Sequence, residues 1–149
     1  NVIPEAVELE GTLRATSPGA RQSAWENIER VATNVAAAHL CTATFNIEQG
    51  YPVTVNDHGF TAFARGVARD LLGEKSFLEM PAPLMGAEDF SYVLQKIPGC
   101  MFSLGVMPET RGESGHIAPV HSNRMMLNEN AMATGIAMHA AVATKFLAA

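Results

Sequence analysis

The chain has 149 residues, of which 48% are hydrophobic and 17% are charged, so it is long and apolar enough to pack a core rather than remain disordered. Its formal net charge of −5 argues against non-specific binding to nucleic acid, which requires clustered Lys and Arg. No apolar run is long enough to span a bilayer, and the chain does not open with the pattern of a signal peptide.

The first segment has the pattern of a β-α-β unit. Residues 6–15 alternate between apolar and polar side chains, which predicts a half-buried strand. Ser17 and Pro18 then predict a helix start, with the serine as N-cap and the proline at the first helical position. Apolar residues recur at helical spacing over 20–39 and alternate again over 42–49, which predicts an amphipathic helix and a second strand.

The rest of the chain alternates between helical patterns and short apolar runs, separated by Pro, Gly and Asn. The last helix is interrupted by Asn130, His139 and Lys145, which favours a buried helix over a membrane helix. In chain order, the predicted elements are a connector over 50–57, a helix over 57–72 ended by Gly73, a short strand over 77–80, a helix over 86–96, a buried strand over 100–106, a loop over 107–120 and a helix over 128–149.

The two cysteines lack the spacing of a metal or redox pair. Cys41 and Cys100 are predicted to be buried small apolar residues rather than a disulfide. Unpaired thiols favour a reducing compartment, so we expect a cytoplasmic protein.

One histidine stands in a sequence context that suits a site. His121 ends a loop of Pro, Gly and polar residues, and loops on rigid scaffolds often carry functional side chains. A lone histidine is more often a surface or structural residue, and His116, five residues earlier, has no standard ligand spacing. The residues alone therefore leave both the metal-ligand and the structural interpretation open.

For two further features, the residues alone favour a structural interpretation over a functional one. Glu88 and Asp89 precede a predicted helix, where acidic side chains stabilise the N-terminus through its dipole and free N–H groups, or one of them could orient a ligand histidine. Arg14 lies on the polar face of the first predicted strand, where its planar guanidinium suits a carboxylate or simply faces solvent. No nucleophile elbow, phosphate-binding glycine loop or His-Glu-x-x-His motif is present.

An ordered series of short motifs, taken together, resembles one enzyme family along the whole chain. Each motif is weak alone, but their order and spacing resemble the amidohydrolase branch of the metal-dependent aminoacylase/carboxypeptidase family, which includes hippurate hydrolases, N-acyl-amino-acid deacylases and auxin-conjugate hydrolases. The motifs are Asn-Val-Ile-Pro at 1–4, Glu-Gly-Thr-Leu-Arg at 10–14, Gly-Tyr-Pro-Val-Thr-Val-Asn at 50–56, Gly-Ala-Glu-Asp-Phe-Ser at 86–91, Pro-Gly at 98–99 and His-Ser-Asn-Arg at 121–124.

The resemblance implies the C-terminal part of an α/β, two-domain enzyme. Residues 1–55 would be the second half of a β-α-β-β-α-β lid that mediates dimerisation, and residues 56–149 the C-terminal part of the catalytic domain. The chain opens without Met and with a strand-like pattern, so we expect the first part of the same protein to be missing.

The resemblance also implies roles for individual residues. His121 matches the family's last metal ligand, although Asn123 stands where many relatives have Pro. Asn1 and Arg14, thirteen residues apart, match a pair that holds the substrate carboxylate. Gly86 would help to shape the substrate site. Glu88 and Asp89 would lie next to the metal ligands and orient them without binding metal themselves.

The expected function is the hydrolysis of an amide bond in N-acyl amino acids or small peptides by water activated by two divalent metals, zinc or manganese. The other ligands and the general base would precede this chain, so the chain alone should be inactive and bind metal weakly. Expected partners are the substrate, the missing part and a second copy through the lid, but neither nucleic acid nor membrane. The alternatives are a non-catalytic dimerisation module and a binding protein that has lost catalysis.

Overall fold

The computed structural model describes residues 1–108 and 117–148, which contain four helices. The described ranges contain no strand, so the predicted α/β class is not confirmed, and the four predicted strands have no regular secondary structure there. In chain order the helices are α1 (Pro18–Ala38), α2 (His58–Leu72), α3 (Phe90–Leu94) and α4 (Ala131–Leu147).

The missing strands have a physical explanation in their hydrogen bonds. A strand forms only when its backbone N–H and C=O groups pair with a neighbouring strand. Within the described ranges, residues 6–15 and 42–49 make no such backbone hydrogen bonds. Val7 and Leu9, on the face that the alternation marks for burial, are 77% and 93% exposed. The pattern therefore predicts strands whose partners the described residues do not supply.

The chain divides into two compact units, each formed from two stretches of sequence. Unit 1 comprises Asn1–Val55 and Met80–Ile97, and unit 2 comprises Asn56–Glu79 and Pro98–Ala149.

Helix α1 of unit 1 begins and ends with recognisable caps. The Ser17 side chain accepts a hydrogen bond from the Ala20 N–H at 3.1 Å, and Pro18 is the first helical residue, which confirms both predictions. At the other end, the Cys41 N–H donates to Ala36 O and the Leu40 N–H to Ala37 O. This pair of bonds is a Schellman motif, in which Leu40, at φ 58°, takes the left-handed position usually occupied by Gly.

Helix α3, also in unit 1, is shorter than the predicted helix over 86–96. Ser91 is fully buried and its hydroxyl donates to Glu88 O, while the last N–H groups of the segment bond back to Ser91 O and Val93 O. Tyr92 contacts Tyr51 edge-to-face, with ring centroids 5.8 Å apart. This contact brings α3 against the connector that follows the first segment.

Unit 2 is organised by the packing of α2 against α4. Its buried core consists of Val67 and Ala68 from α2 and Met138 from α4. The Lys145 ammonium group adds an ion pair with Asp70 at 2.5 Å. Partly buried apolar side chains surround the core: Phe63, Phe77, Ala141 and Val142.

The bounds of α2 agree with those predicted. Asp57 caps its start by accepting from the Phe60 N–H at 2.7 Å, and Gly73 follows its end at φ 93°. The Asn56 side chain both donates to Met101 O (2.9 Å) and accepts from the Met101 N–H (2.8 Å). Segment 98–106 is thereby fixed beside the start of α2.

The prediction that α4 and segment 100–106 are buried is wrong for this structure. Met138 is the one buried residue of α4, whereas Ile136 and Phe146 are 71% and 58% exposed, because α2 covers only one side of the helix. Met101 and Leu104 are also about two-fifths exposed, at 41% and 40%. None of the described helices is long and apolar enough to cross a bilayer.

Candidate functional site

His121 lies at a turn with an unusual backbone conformation. The Ser122 N–H donates to Pro119 O at 3.1 Å, which closes a four-residue turn with His121 at its third position. The φ angle of His121 is 71°, in the left-handed region that Gly or Asn normally occupies at this position. The side chain is exposed, so the turn presents the imidazole rather than burying it.

Ser122 connects this turn to the next one. Its carbonyl accepts from the Met125 N–H at 3.1 Å, and its hydroxyl accepts from the Arg124 N–H at 3.1 Å. The two consecutive turns place the residue after His121 at the centre of three hydrogen bonds. Side-chain bonds to the backbone two residues ahead are a common way for serine to stabilise loops.

The loop that carries His121 is closed at its ends. The Asn128 N–H donates to Val106 O at 2.9 Å, and the Asn128 side chain accepts from the Asn130 N–H at 3.1 Å just before α4. His121 thus extends from a segment whose two ends meet on unit 2. His116, the possible companion, falls outside the described residues.

The metal-ligand prediction can be compared with the donors present. A zinc site needs at least three protein ligands, and residues 1–108 and 117–148 contain no group of three His, Cys, Asp or Glu side chains that could hold a metal. His121 has the right donor type and an exposed ring for one ligand. The described residues do not form a complete metal site by themselves.

The acidic pair before α3 serves the start of that helix. Glu88 accepts from the Phe90 N–H at 3.4 Å, whereas Asp89, the N-cap residue, makes no capping bond with its side chain. Glu88 thus takes the helix-stabilising role that its sequence position allows. A Cβ on Gly86 would meet nothing within 4 Å, so local backbone packing does not require glycine there.

The two predicted carboxylate-binding residues lie in unit 1. Asn1 and Arg14 are exposed, and neither side chain forms a hydrogen bond or ion pair with another described residue. Gly86, Glu88 and Asp89 belong to the same unit, whereas His121 belongs to unit 2.

The cysteines differ from the prediction that both are buried. Cys41 is exposed, because it lies just beyond the end of α1, and Cys100 is only partly buried; both are free thiols. Burial raises the pKa of the Cys100 thiol, with a smaller upward effect from Asp57 that a hydrogen bond with the Thr61 side chain opposes. A raised thiol pKa disfavours the nucleophilic thiolate at neutral pH.

Two residues that organise unit 2 are absent from the sequence-based predictions. Asn56 appears there only within the connector and the motif at 50–56, and Ser122 only within the motif at 121–124, and neither was given a role. The signal for Ser122 is the run Pro-Val-His-Ser-Asn, in which Pro, Ser and Asn are all turn formers. The hydrogen bonds they form follow from the three-dimensional arrangement.

Comparison with known proteins identifies relatives along nearly the whole chain. Residues 3–145 match peptidase family M20/M25/M40. The chain is 39% identical to IAA-amino acid hydrolase ILR1-like 2 of Arabidopsis thaliana, over 99% of its own length and 33% of that protein. It is 33% identical to thermostable carboxypeptidase 2 of Saccharolobus solfataricus, over 98% of this chain and 36% of that protein. No solved structure matches.

The matches show the family to which the chain belongs and how much of its relatives' length it spans. A putative amidohydrolase, YhaA of Bacillus subtilis, is 30% identical over 98% of this chain and 36% of its own length. The chain therefore spans about a third of the length of the curated relatives it matches. The family match covers all the predicted motifs except the first two residues. This chain belongs to peptidase family M20/M25/M40, the metal-dependent aminoacylase and carboxypeptidase family that its motif series resembles.

Proposed function

We propose that the chain forms part of a metal-dependent amidohydrolase that cleaves the amide bond of N-acyl amino acids or related small peptides. Its family and the hydrolase names of its relatives support this class of reaction. The observation that carries the proposal is His121, an exposed imidazole held at φ 71° in a closed loop. Strained non-glycine backbone is concentrated at functional sites.

Each predicted site residue has a role that suits its chemistry. His121, through a neutral ring nitrogen, would be one ligand of a site that other parts of the complete protein finish. Arg14 and Asn1 would hold the substrate carboxylate, and Gly86 would help to form that pocket. Glu88 or Asp89 would orient a metal-ligating histidine through a hydrogen bond. When bound, two divalent metals, zinc or manganese, supply an activated water.

The proposal also covers the organisation of the complete protein. Residues 1–55 would belong to a lid that dimerises, and residues 56–149 to the catalytic domain. The 149-residue chain alone would be inactive, because residues 1–108 and 117–148 contain no group of three metal-ligating side chains. Its free thiols suit a cytoplasmic location.

The direct test compares two histidines of unit 2 in the complete protein. We expect His121→Ala to lose most of its bound metal and its hydrolysis of N-acyl amino acids, because it removes a ligand. His58→Ala removes an exposed histidine at the start of α2 and should leave both unchanged. Metal content by elemental analysis and amide hydrolysis are measured on the same samples. Wild-type metal content in His121→Ala would refute the assignment.

The carboxylate-binding role has its own test. Arg14→Met should raise KM for an N-acyl amino acid far more than KM for the matching N-acyl amine, which lacks the carboxylate. Arg30→Met, on α1 and bonded to Asn27 at 3.0 Å, is the matched control. Equal effects on both substrates would exclude carboxylate recognition by Arg14.

A second candidate is a non-catalytic assembly module, and the surface of α1 favours it. No residue of α1 is buried, and its apolar residues Ile28, Val31 and Val35 are 46%, 49% and 55% exposed. A stripe of this kind can pair with another surface. Light scattering and metal analysis separate the two candidates, since a complete protein that dimerises but binds no metal would be a module alone.

A further inference from the structure

Unit 1 contains a groove to which the proposed function assigns no role. The groove lies between the start of α1, segment 49–53 and the end of α3, and its volume is about 420 Å³, which is within the range of small-molecule sites. Every residue that lines it belongs to unit 1. The chemistry of the groove is therefore set by this unit alone.

Arg21 is the one charged side chain among the lining residues. Its guanidinium group lies over the Trp25 ring, 5.1 Å from the ring centroid, and its Nη1 donates to Tyr51 O at 3.0 Å. These contacts hold the guanidinium in place but use only one of its five N–H groups, and the others donate to no described residue. Because arginine stays charged at any physiological pH, the groove contains a positioned cation with unused donors.

The other lining residues are amides and apolar groups. Gln49 and Gln95 are exposed, and neither side chain forms a hydrogen bond with a described residue. Pro52, Val53 and the Tyr92 ring supply apolar surface. A ligand that combines a negative group with an apolar body would thus find a partner for each part within the groove.

We propose that this groove binds a small organic carboxylate with an aromatic or aliphatic body. A carboxylate can accept two parallel N–H bonds from the planar guanidinium of Arg21, and none of the lining residues is acidic and could compete for it. The apolar body would cover Pro52, Val53 and Tyr92, and removal of this surface from water favours binding. The inference is independent of His121 and of the metal-dependent reaction proposed above.

The test titrates phenylpropanoate into the complete protein by isothermal calorimetry. The Arg14→Met variant is the starting protein, so that the proposed carboxylate-binding role of Arg14 cannot contribute. We expect phenylpropanoate to bind and the neutral phenylpropanamide to bind about 10-fold more weakly, because it lacks the charge that pairs with Arg21. Acetate, which lacks the apolar body, should also bind more weakly than phenylpropanoate.

Two substitutions in the groove and one outside it locate the binding. Arg21→Gln should weaken phenylpropanoate binding about 10-fold, since it removes the charge but keeps an N–H donor for Tyr51 O. Gln95→Glu should weaken it about 5-fold, because it places a like charge near the ligand and leaves Arg21 intact. Thr33→Glu adds the same charge at an exposed position of α1, about 18 Å along the helix from Arg21, where salt screens it, and should leave the affinity unchanged.

The outcomes separate this inference from the proposed function. Absence of binding, or equal affinity for phenylpropanoate and its amide, would overturn the proposal. So would wild-type-like affinity in Arg21→Gln, or an equal loss in Gln95→Glu and Thr33→Glu. If Arg21→Gln has lost helix content by circular dichroism, the comparison of Gln95→Glu with Thr33→Glu decides. Each of these results leaves the proposed function in place, which depends instead on the metal content and activity of His121→Ala.

Discussion

At the level of single residues, His121 combines an exposed imidazole with a left-handed backbone. Histidine is tolerated there better than most residues with a Cβ, but glycine would be tolerated better still. The residue at this position therefore has opposite effects on stability and on the proposed ligand role, as is common at sites that store strain.

Two substitutions of His121 should therefore differ in stability. His121→Gly and His121→Ala both remove the imidazole, but only alanine keeps the penalty of a Cβ at positive φ. We expect the glycine variant to be more stable by about 1 kcal/mol. Denaturant unfolding of both variants measures the difference. Equal stabilities would mean that the turn does not impose the left-handed conformation.

The two thiols should differ in reactivity. Cys41 is exposed and Cys100 partly buried, and the pKa of Cys100 is raised, chiefly by burial. Because the thiolate is the reacting form, Cys100 should alkylate more slowly than Cys41 at neutral pH and accelerate as the pH rises towards its raised pKa. Iodoacetamide labelling resolved by peptide mass spectrometry checks this; labelling of Cys100 as fast as Cys41 at pH 7 would contradict it.

The sequence predicted the candidate site residues unevenly. His121, Asn1 and Arg14 come from the motif series, which depends on order along the chain and needs no coordinates. The hydrogen bond of the Ser122 hydroxyl could not be predicted, because a loop serine can bond to several nearby N–H groups. Its choice of the Arg124 N–H depends on backbone angles that residue types alone do not fix.

At the level of elements, the end of α1 places Leu40 in a left-handed conformation that glycine would adopt at lower cost. Leu40 is 98% exposed and sits at φ 58° in the Schellman motif, so its side chain gains little from burial to offset the left-handed cost. Leu40→Gly should raise the free energy of unfolding by about 0.5–1 kcal/mol, the left-handed penalty less the extra entropy of glycine. Denaturant unfolding measures it. Leu78→Gly is the control, since Leu78 is 83% exposed but has no positive φ, and it should not stabilise.

The Asn56 side chain joins the start of α2 to segment 98–106. Its side chain makes two hydrogen bonds with the backbone of Met101, at 2.9 and 2.8 Å, across 45 residues of sequence. Asn56→Ala should lower the free energy of unfolding by about 1–2 kcal/mol, since both bonds are lost. Asn46→Ala, at an exposed position without a side-chain hydrogen bond to any described residue, is the control. Equal small losses in both variants would show that the two hydrogen bonds between Asn56 and Met101 do not stabilise the fold.

Helices were predictable because their signals are local. Ser17 caps α1 as predicted, α2 begins within one residue of the predicted start, and Gly73 follows α2 as predicted. Strands depend on partners elsewhere, so the alternation over 6–15 marked a face for burial without showing what would cover it. The prediction that α4 is buried was wrong for the same reason. Its apolar composition favours burial, but composition does not show that α2 covers only one side of the helix.

At the level of the whole molecule, apolar side chains of α1 are exposed among the described residues. Val35 is 55% exposed on α1, and such surfaces bind hydrophobic dyes. Val35→Lys should lower dye fluorescence without lowering helix content by circular dichroism. Thr33→Lys adds the same charge on an exposed polar position of that helix and should change the fluorescence less. An equal drop in dye fluorescence in both variants would show that the added charge, and not the loss of apolar surface, causes the effect.

The division of the two units along the chain bears on the order in which they can fold during synthesis. The chain passes from one unit to the other after residues 55, 79 and 97. On the ribosome, unit 1 must wait for residue 97 to emerge, although α1 is complete by residue 38. Unit 2 begins at residue 56 and must wait longer, because α4, the helix that packs against α2, is made last. The hydrogen bond from the Asn128 N–H to Val106 O, which joins the two ends of the segment that carries His121, can form only after residue 128 has emerged.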